Sequence, residues 1–288
     1  MPGILTMFLK QKKMNKGITK YPDGSSYATI DNSNITNTIK WNINSYEDLW
    51  HLHQYVDAFN SINDRRNLKV IIPNLIDAQA DRRFGYGQSS GLKLVCNFLN
   101  SMDAEFRVFH PHNAEVVEAL MDNVQIIDNS GFIRKVLDML PEGTNGKFTD
   151  NGILMSADAG GFKPLMKLCD TIKWKAGIYT AAKSRGYKDG KSILTQIVDR
   201  EDFYGKDVLI VDDLSIYGGT FKGLSKLLRT KNVGNLYLAV SHMTMQNLGD
   251  DPVTNYFDKV FTTDSKFDNY YMKSERGEAY QPSNLVII

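Results

Sequence analysis

Four consecutive apolar residues, Val208 to Val211, run directly into two acids, Asp212 and Asp213. A short loop then reaches Gly218, Gly219 and Thr220, after which Phe221, Leu224, Leu227 and Leu228 recur at helical spacing. A strand, a glycine-bearing turn and a helix in that order restrict the chain to an α/β architecture. Ligands of open α/β sheets bind at the carboxyl ends of strands. A glycine loop feeding a helix N-terminus offers N–H groups and a favourable dipole to a phosphate. Asp212 and Asp213 are then placed to accept hydrogen bonds from the 2- and 3-hydroxyls of a ribose. Without a ligand the same letters make a strand, a turn and a capped helix. Two ionisable groups closing an apolar strand favour the functional reading, because charge there needs a partner.

The alternation of short β-rich runs with helical periodicity extends along the chain. Residues 68–73 and 106–109 read as strands, and 91–101 and 114–121 as helices. The pattern restarts with strands at 152–156, 177–181, 207–212, 235–240 and 260–263, and helices at 162–168 and 220–229. Turn formers crowd residues 140–146, which gives candidate domains 1–145 and 146–288. A length of 288 residues accommodates two such domains. With 34 basic and 33 acidic residues the net charge is +1, which argues against an electrostatic role on nucleic acid or an acidic membrane. Anion binding must therefore be local. Cys96 and Cys169 lie in apolar helical stretches without CxxC spacing and read as buried free thiols of a reducing cytoplasm. Residues 1–9 are apolar but their lysines follow rather than precede them, and no run approaches transmembrane length. The expectation is a soluble, cytoplasmic protein.

Segment 208–220 resembles the phosphoribosyl-pyrophosphate (PRPP) signature shared by PRPP synthetases and type I phosphoribosyltransferases. In that signature two acids bind ribose hydroxyls and the loop holds the 5-phosphate. Further matches favour the PRPP synthetase (ribose-phosphate pyrophosphokinase) family, and look most like its short virus-encoded and bacterial branch. Tyr21, Pro22, Asp23 and Gly24 look like its aromatic-x-Asp-Gly motif, which meets the adenine of ATP bound by a neighbouring subunit. Read alone, they are a Pro-Asp-Gly turn. Residues 73–83 resemble its ATP-site segment, with Gln79 inside it and Asp81 and Arg82 retained. His112, after a strand, looks like the histidine that helps hold the catalytic magnesium, and Asp158 like the acid that shares this task. Residues 182–191 resemble the catalytic flexible loop, with Lys183 and Arg185 as its cations.

The resemblance implies two tandem type I phosphoribosyltransferase-like, Rossmann-like α/β domains with parallel sheets, an ATP side in 1–145 and a ribose phosphate side in 146–288. The site should lie between them. It implies an ATP-dependent, Mg²⁺-using pyrophosphokinase that moves a diphosphate to the anomeric hydroxyl of a ribose 5-phosphate unit and releases AMP. Ser215, Tyr217, Gly218, Gly219 and Thr220 would form the phosphate loop, and the chain would be a homo-oligomer, dimer or hexamer. Three positions depart from the family pattern. Gln79 and Ala80 replace an Arg-Gln pair, Ser25 replaces an acid, and Ile216 with Tyr217 replace Asp-Thr or Asp-Gly in the phosphate loop. The last change suits an acceptor that extends beyond the 5-phosphate, such as ADP-ribose in a route that rebuilds NAD. Two rivals stay open: a PRPP-consuming phosphoribosyltransferase, which needs no ATP site, and a catalytically inactive regulatory relative.

Overall fold

A computed structural model describes residues 17–30, 36–62, 68–83, 85–142, 146–188, 191–266, 272–273 and 279–288. Contacts divide the chain into two units, Met1–Asp128 and Asn129–Ile288.

The first unit begins with an antiparallel hairpin of β1 (Ile18–Lys20) and β2 (Ser26–Ala28). Next come β3 (Thr38–Lys40), α1 (Tyr46–Ile62), β4 (Lys69–Ile72), α2 (Gly91–Asn100), β5 (Glu105–Phe109), α3 (Ala114–Leu120) and β6 (Val124–Ile127). The last four strands form a parallel sheet in the order β3-β4-β5-β6. Alternate strand residues Ile39, Val70, Ile72, Phe106 and Val108 share one core with Leu52, Val56 and Phe59 of α1 and Leu92, Val95 and Leu99 of α2. A period of two on the strands thus meets apolar stripes three and four apart on the helices.

The second unit contains α4 (Ser130–Met139), α5 (Phe148–Asn151), β7 (Ile153–Ser156), α6 (Phe162–Ile172), β8 (Gly177–Lys188) and β9 (Lys191–Val198). It continues through β10 (Val208–Ser215), α7 (Gly219–Arg229), β11 (Leu236–Met243), β12 (Lys259–Thr262), β13 (Met272–Lys273), β14 (Ala279–Tyr280) and β15 (Leu285–Ile287). The main sheet has the order β15-β12-β11-β10-β7-β8-β9 and is parallel except between β8 and β9. Ile153, Met155, Val208, Ile210, Leu238 and Val260 pack against Phe221, Leu224 and Leu228 of α7. Helices α4 and α6 pack on β11 and β7 and on each other, with Arg134 donating to the Thr171 carbonyl at 2.9 Å. That packing draws α4 into the second unit.

One expected element differs. The strand starting at Gly177 does not give way to a loop after Ala181; it continues to Lys188 and pairs antiparallel with β9 from Ala181↔Val198 to Lys188↔Lys191. Ile193, Leu194, Ile197 and Val198 supply the β-branched and apolar side chains that favour such a strand. Asp189 and Gly190 of the expected loop lie outside the described residues.

Candidate functional site

Strand order in the second sheet reverses between β7 and β10, with β8 and β9 beyond the one and β11, β12 and β15 beyond the other. The crevice outside such a switch point is where open α/β sheets take ligands. β7 stops at Ser156, opposite Val211, whereas β10 runs on to Ser215 beside β11. Asp212 and Asp213 are therefore the first residues of β10 past the end of β7. The chain leaving β7 carries Asp158. Its main-chain oxygen accepts from Ser156 Oγ at 3.0 Å and Thr180 Oγ1 at 3.2 Å, and its Oδ1 accepts from Gly161 N at 3.2 Å. The Ser156 and Thr180 hydroxyl oxygens lie 2.7 Å apart, within hydrogen-bond distance of each other, so β7 and β8 jointly brace the turn.

Burial pushes the Asp212 carboxyl well above the usual carboxylate range, and the negative charges of Asp213 and Asp158 push the same way. The Asp213 N–H, donating to Asp212 Oδ1 at 2.9 Å, opposes the shift. Carboxylates that raise one another's protonation are relieved by a cation or by hydroxyl donors.

Beyond the acids, the loop to α7 is held from below. Asn247, fully buried, donates through Nδ2 to the carbonyls of Ser215 at 2.8 Å, Ile216 at 2.9 Å and Thr244 at 2.9 Å. Its Oδ1 accepts from the Ser215 hydroxyl, which is buried and so engaged with the scaffold. Gly218 sits in the left-handed region at φ +72°, and a Cβ there would meet Asn247 Oδ1 at 3.0 Å and Val253 Cβ at 3.1 Å. Only glycine passes this point without strain. Because Gly218 brings no capping side chain to α7, the first helical turn, opening with exposed Gly219 and half-buried Thr220, faces outward uncapped. Ile216 and Tyr217, 42% and 68% exposed, point away from the scaffold instead of filling the cradle.

Lys183 and Arg185 lie on β8, in register with Gln196 and Leu194 of β9, so a two-stranded hairpin rather than an irregular loop carries the two expected cations. In the first unit, Asp81 and Arg82 follow β4, and His112 follows β5 at the same edge of the sheet. Asn113 caps α3 by accepting from Val116 N at 3.3 Å and donates to Asp81 Oδ2 at 3.1 Å. Arg82 Nε stands 3.9 Å from Asp81 Oδ1, while Gln79 and His112 are exposed. Tyr21 and Asp23 occupy the β1–β2 turn, which rests on α1 through Lys20 Nζ and Glu47 Oε1 at 2.6 Å. Tyr21 stacks on Tyr27 with ring centroids 5.7 Å apart. Asp23 Oδ1 accepts from Ser25 Oγ at 2.7 Å and Ser25 N at 3.0 Å, and these bonds hold its carboxyl below the usual range. Ser25, where the family has an acid, thus serves to fix Asp23. Asn247, Thr180 and Asn113 are the supporting residues that motif reading missed; each acts on a partner distant in sequence.

No family model matches the chain. Among curated proteins it is similar to the ribose-phosphate pyrophosphokinase of Sulfolobus acidocaldarius, with 26% identity over 85% of this chain and 82% of that protein. The enzyme of the same name from Thermoplasma volcanium is 23% identical over 93% of this chain and 90% of its own length. Among solved structures, phosphoribosylpyrophosphate synthetase from Mycobacterium smegmatis superposes with a TM-score of 0.69 at 15% identity, covering 94% of this chain and 84% of that one, a likeness of fold. With its switch-point acids and glycine loop, the chain is similar to the ribose-phosphate pyrophosphokinases (PRPP synthetases), which match it over 79% to 93% of its length.

Proposed function

We propose that the protein transfers the β,γ-diphosphate of ATP to the anomeric hydroxyl of a ribose 5-phosphate unit, releasing AMP. The observation that carries this reading is the pairing of Asp212 and Asp213, past the end of β7, with the uncapped first turn of α7. The acids orient the ribose through its hydroxyls. The N–H groups at Gly219 and Thr220 take the 5-phosphate, aided by the helix dipole. Lys183 and Arg185 neutralise charge that develops on the oxygens between nucleophile and leaving AMP, and a site that excludes water strengthens their effect. In the first unit, Tyr21, Asp23, Gln79, Asp81 and Arg82 serve ATP. The buried Asp212 carboxyl, with the charges of Asp213 and, more weakly, Asp158 acting on it, supports a hard cation nearby, and Mg²⁺ fits carboxylate oxygens together with phosphates and water. Asp158 would hold such an ion in the second unit and His112 is the metal-ligand candidate of the first; the ion when bound would neutralise phosphate charge. A homo-oligomer, in which one subunit's Tyr21 turn serves its neighbour's ATP, belongs to the same reading.

A second acceptor is favoured by one observation. The exposed Tyr217 and Ile216 leave the cradle clear and offer an apolar ledge beside it. An acceptor whose 5-phosphate continues into a nucleotide, such as ADP-ribose, would lie against that ledge, and its product would serve NAD salvage. Rates of AMP release with ribose 5-phosphate and with ADP-ribose, at equal concentration, decide between them. A higher kcat/KM for ADP-ribose that falls to the ribose 5-phosphate value in Tyr217→Ala supports the extended acceptor. Equal or better use of ribose 5-phosphate removes it. ATP binding separates either reading from a phosphoribosyltransferase, and failure of both acceptors with folded protein favours an inactive relative.

A further inference from the structure

We infer that Gln196 is a positioning residue that couples the sugar-phosphate loop to the hairpin bearing Lys183 and Arg185. The inference rests on the roles proposed above for that loop and that hairpin. β9 is the edge strand of the seven-stranded sheet, and β8 is its strand partner. In that pairing Gln196 stands directly opposite Lys183. Its Nε2 donates to the carbonyl of Thr220 at 2.9 Å, reaching the first turn of α7 and the last residue of the Gly218–Gly219–Thr220 run. The other half of the same amide explains a second residue. Gly223, one turn further along α7, has no Cβ, and a Cβ built there would lie 2.4 Å from Gln196 Oε1. Glycine inside a helix costs about 1 kcal/mol relative to alanine, and here it clears the seat for the amide. The half-buried Gln196 is followed by exposed Ile197, 60% accessible, so the glutamine and not its neighbour leans on the helix. A displacement of the α7 N-terminus on binding phosphate therefore reaches, through one hydrogen bond and one strand pair, the backbone that carries the two cations.

The test is steady-state AMP release at saturating ATP by Gln196→Ala, the isosteric Gln196→Glu, Gly223→Ala and the double variant Gln196→Ala/Gly223→Ala, with ribose 5-phosphate and with ADP-ribose. Glutamate keeps the shape but, ionised, donates nothing to the carbonyl. Misplacing the cations should lower kcat by about tenfold or more in each single variant, with acceptor KM changed by less than about threefold. Gly223→Ala should add no further loss in the Gln196→Ala background, because the group it displaces is gone. A kcat of Gln196→Ala within about twofold of the parent, a rise in KM alone, or losses that multiply in the double variant would each overturn the inference. If the parent releases no AMP with either acceptor, the proposed function fails, and the coupling is read from amide exchange of residues 191–198 in ligand-free protein. Exchange there should speed up in Gln196→Ala and in Gly223→Ala, by about tenfold if the bond contributes ~1.4 kcal/mol; unchanged exchange would overturn it.

Discussion

Asp212 is the residue at which stability and function pull apart. Its carboxyl is held above the usual range by burial and by the charges of Asp213 and Asp158, so the fold favours the protonated form. Stability from that preference is full below the unfolded value of about 3.9 and is lost as pH rises through the folded value. Asp212→Asn is neutral throughout. Urea melts of the ligand-free variant at pH 7.5 should show it more stable than the parent by about 1–2 kcal/mol, with the gap closing towards pH 4. Its acceptor KM should rise at the same time. A gap that is equal at both pH values contradicts the electrostatic account. The twin acids were legible in the sequence because ionisable groups at the end of an apolar strand have few structural uses. Asn247 was not, since its value depends on carbonyls of Ser215 and Ile216 about thirty residues away. Asn247→Ala removes these bonds and leaves the buried Ser215 hydroxyl without its acceptor, and should cost about 2–4 kcal/mol in chemical denaturation. A loss below about 1 kcal/mol would show that the loop is held by other means.

At the scale of elements, the strand–loop–helix unit β10–α7 follows from local pattern: an apolar run, glycines that permit φ +72° at Gly218, then helical spacing. The hairpin β8–β9 was harder to see. Its charged letters from Lys183 to Lys191 suit a solvated loop as well as an edge hairpin, and the deciding signal was the β-rich run Ile193, Leu194, Ile197 and Val198 on the returning strand. The hairpin places Lys183 and Arg185 two residues apart on β8. Lys183→Ala and Arg185→Ala should each lower kcat by about 100-fold or more while leaving acceptor KM within about threefold, as expected of groups that act on charge in the transition state. A rise in KM without a fall in kcat would place them in ground-state binding instead.

Across the whole molecule, the alternation of short strands with helices announced parallel α/β units, and the two parallel sheets have that form. The two units divide ahead of α4, whose contacts with β11 and α6 decide which unit it joins. Cys96 and Cys169 are buried free thiols, pushed up to about 11 by burial, and serve as small apolar core residues. Among the described residues no helix is long and apolar enough to cross a membrane. The central proposal is that a ribose hydroxyl, oriented by the switch-point acids, attacks the middle phosphorus of ATP. Incubation with ATP labelled at the β-phosphorus, with ribose 5-phosphate or ADP-ribose as acceptor, follows that atom directly. The label should leave with the acceptor as a diphosphate ester while one AMP appears for each ester formed, and Asp213→Asn should slow both together. Label retained in ADP, or AMP formed without a labelled ester, would contradict the account.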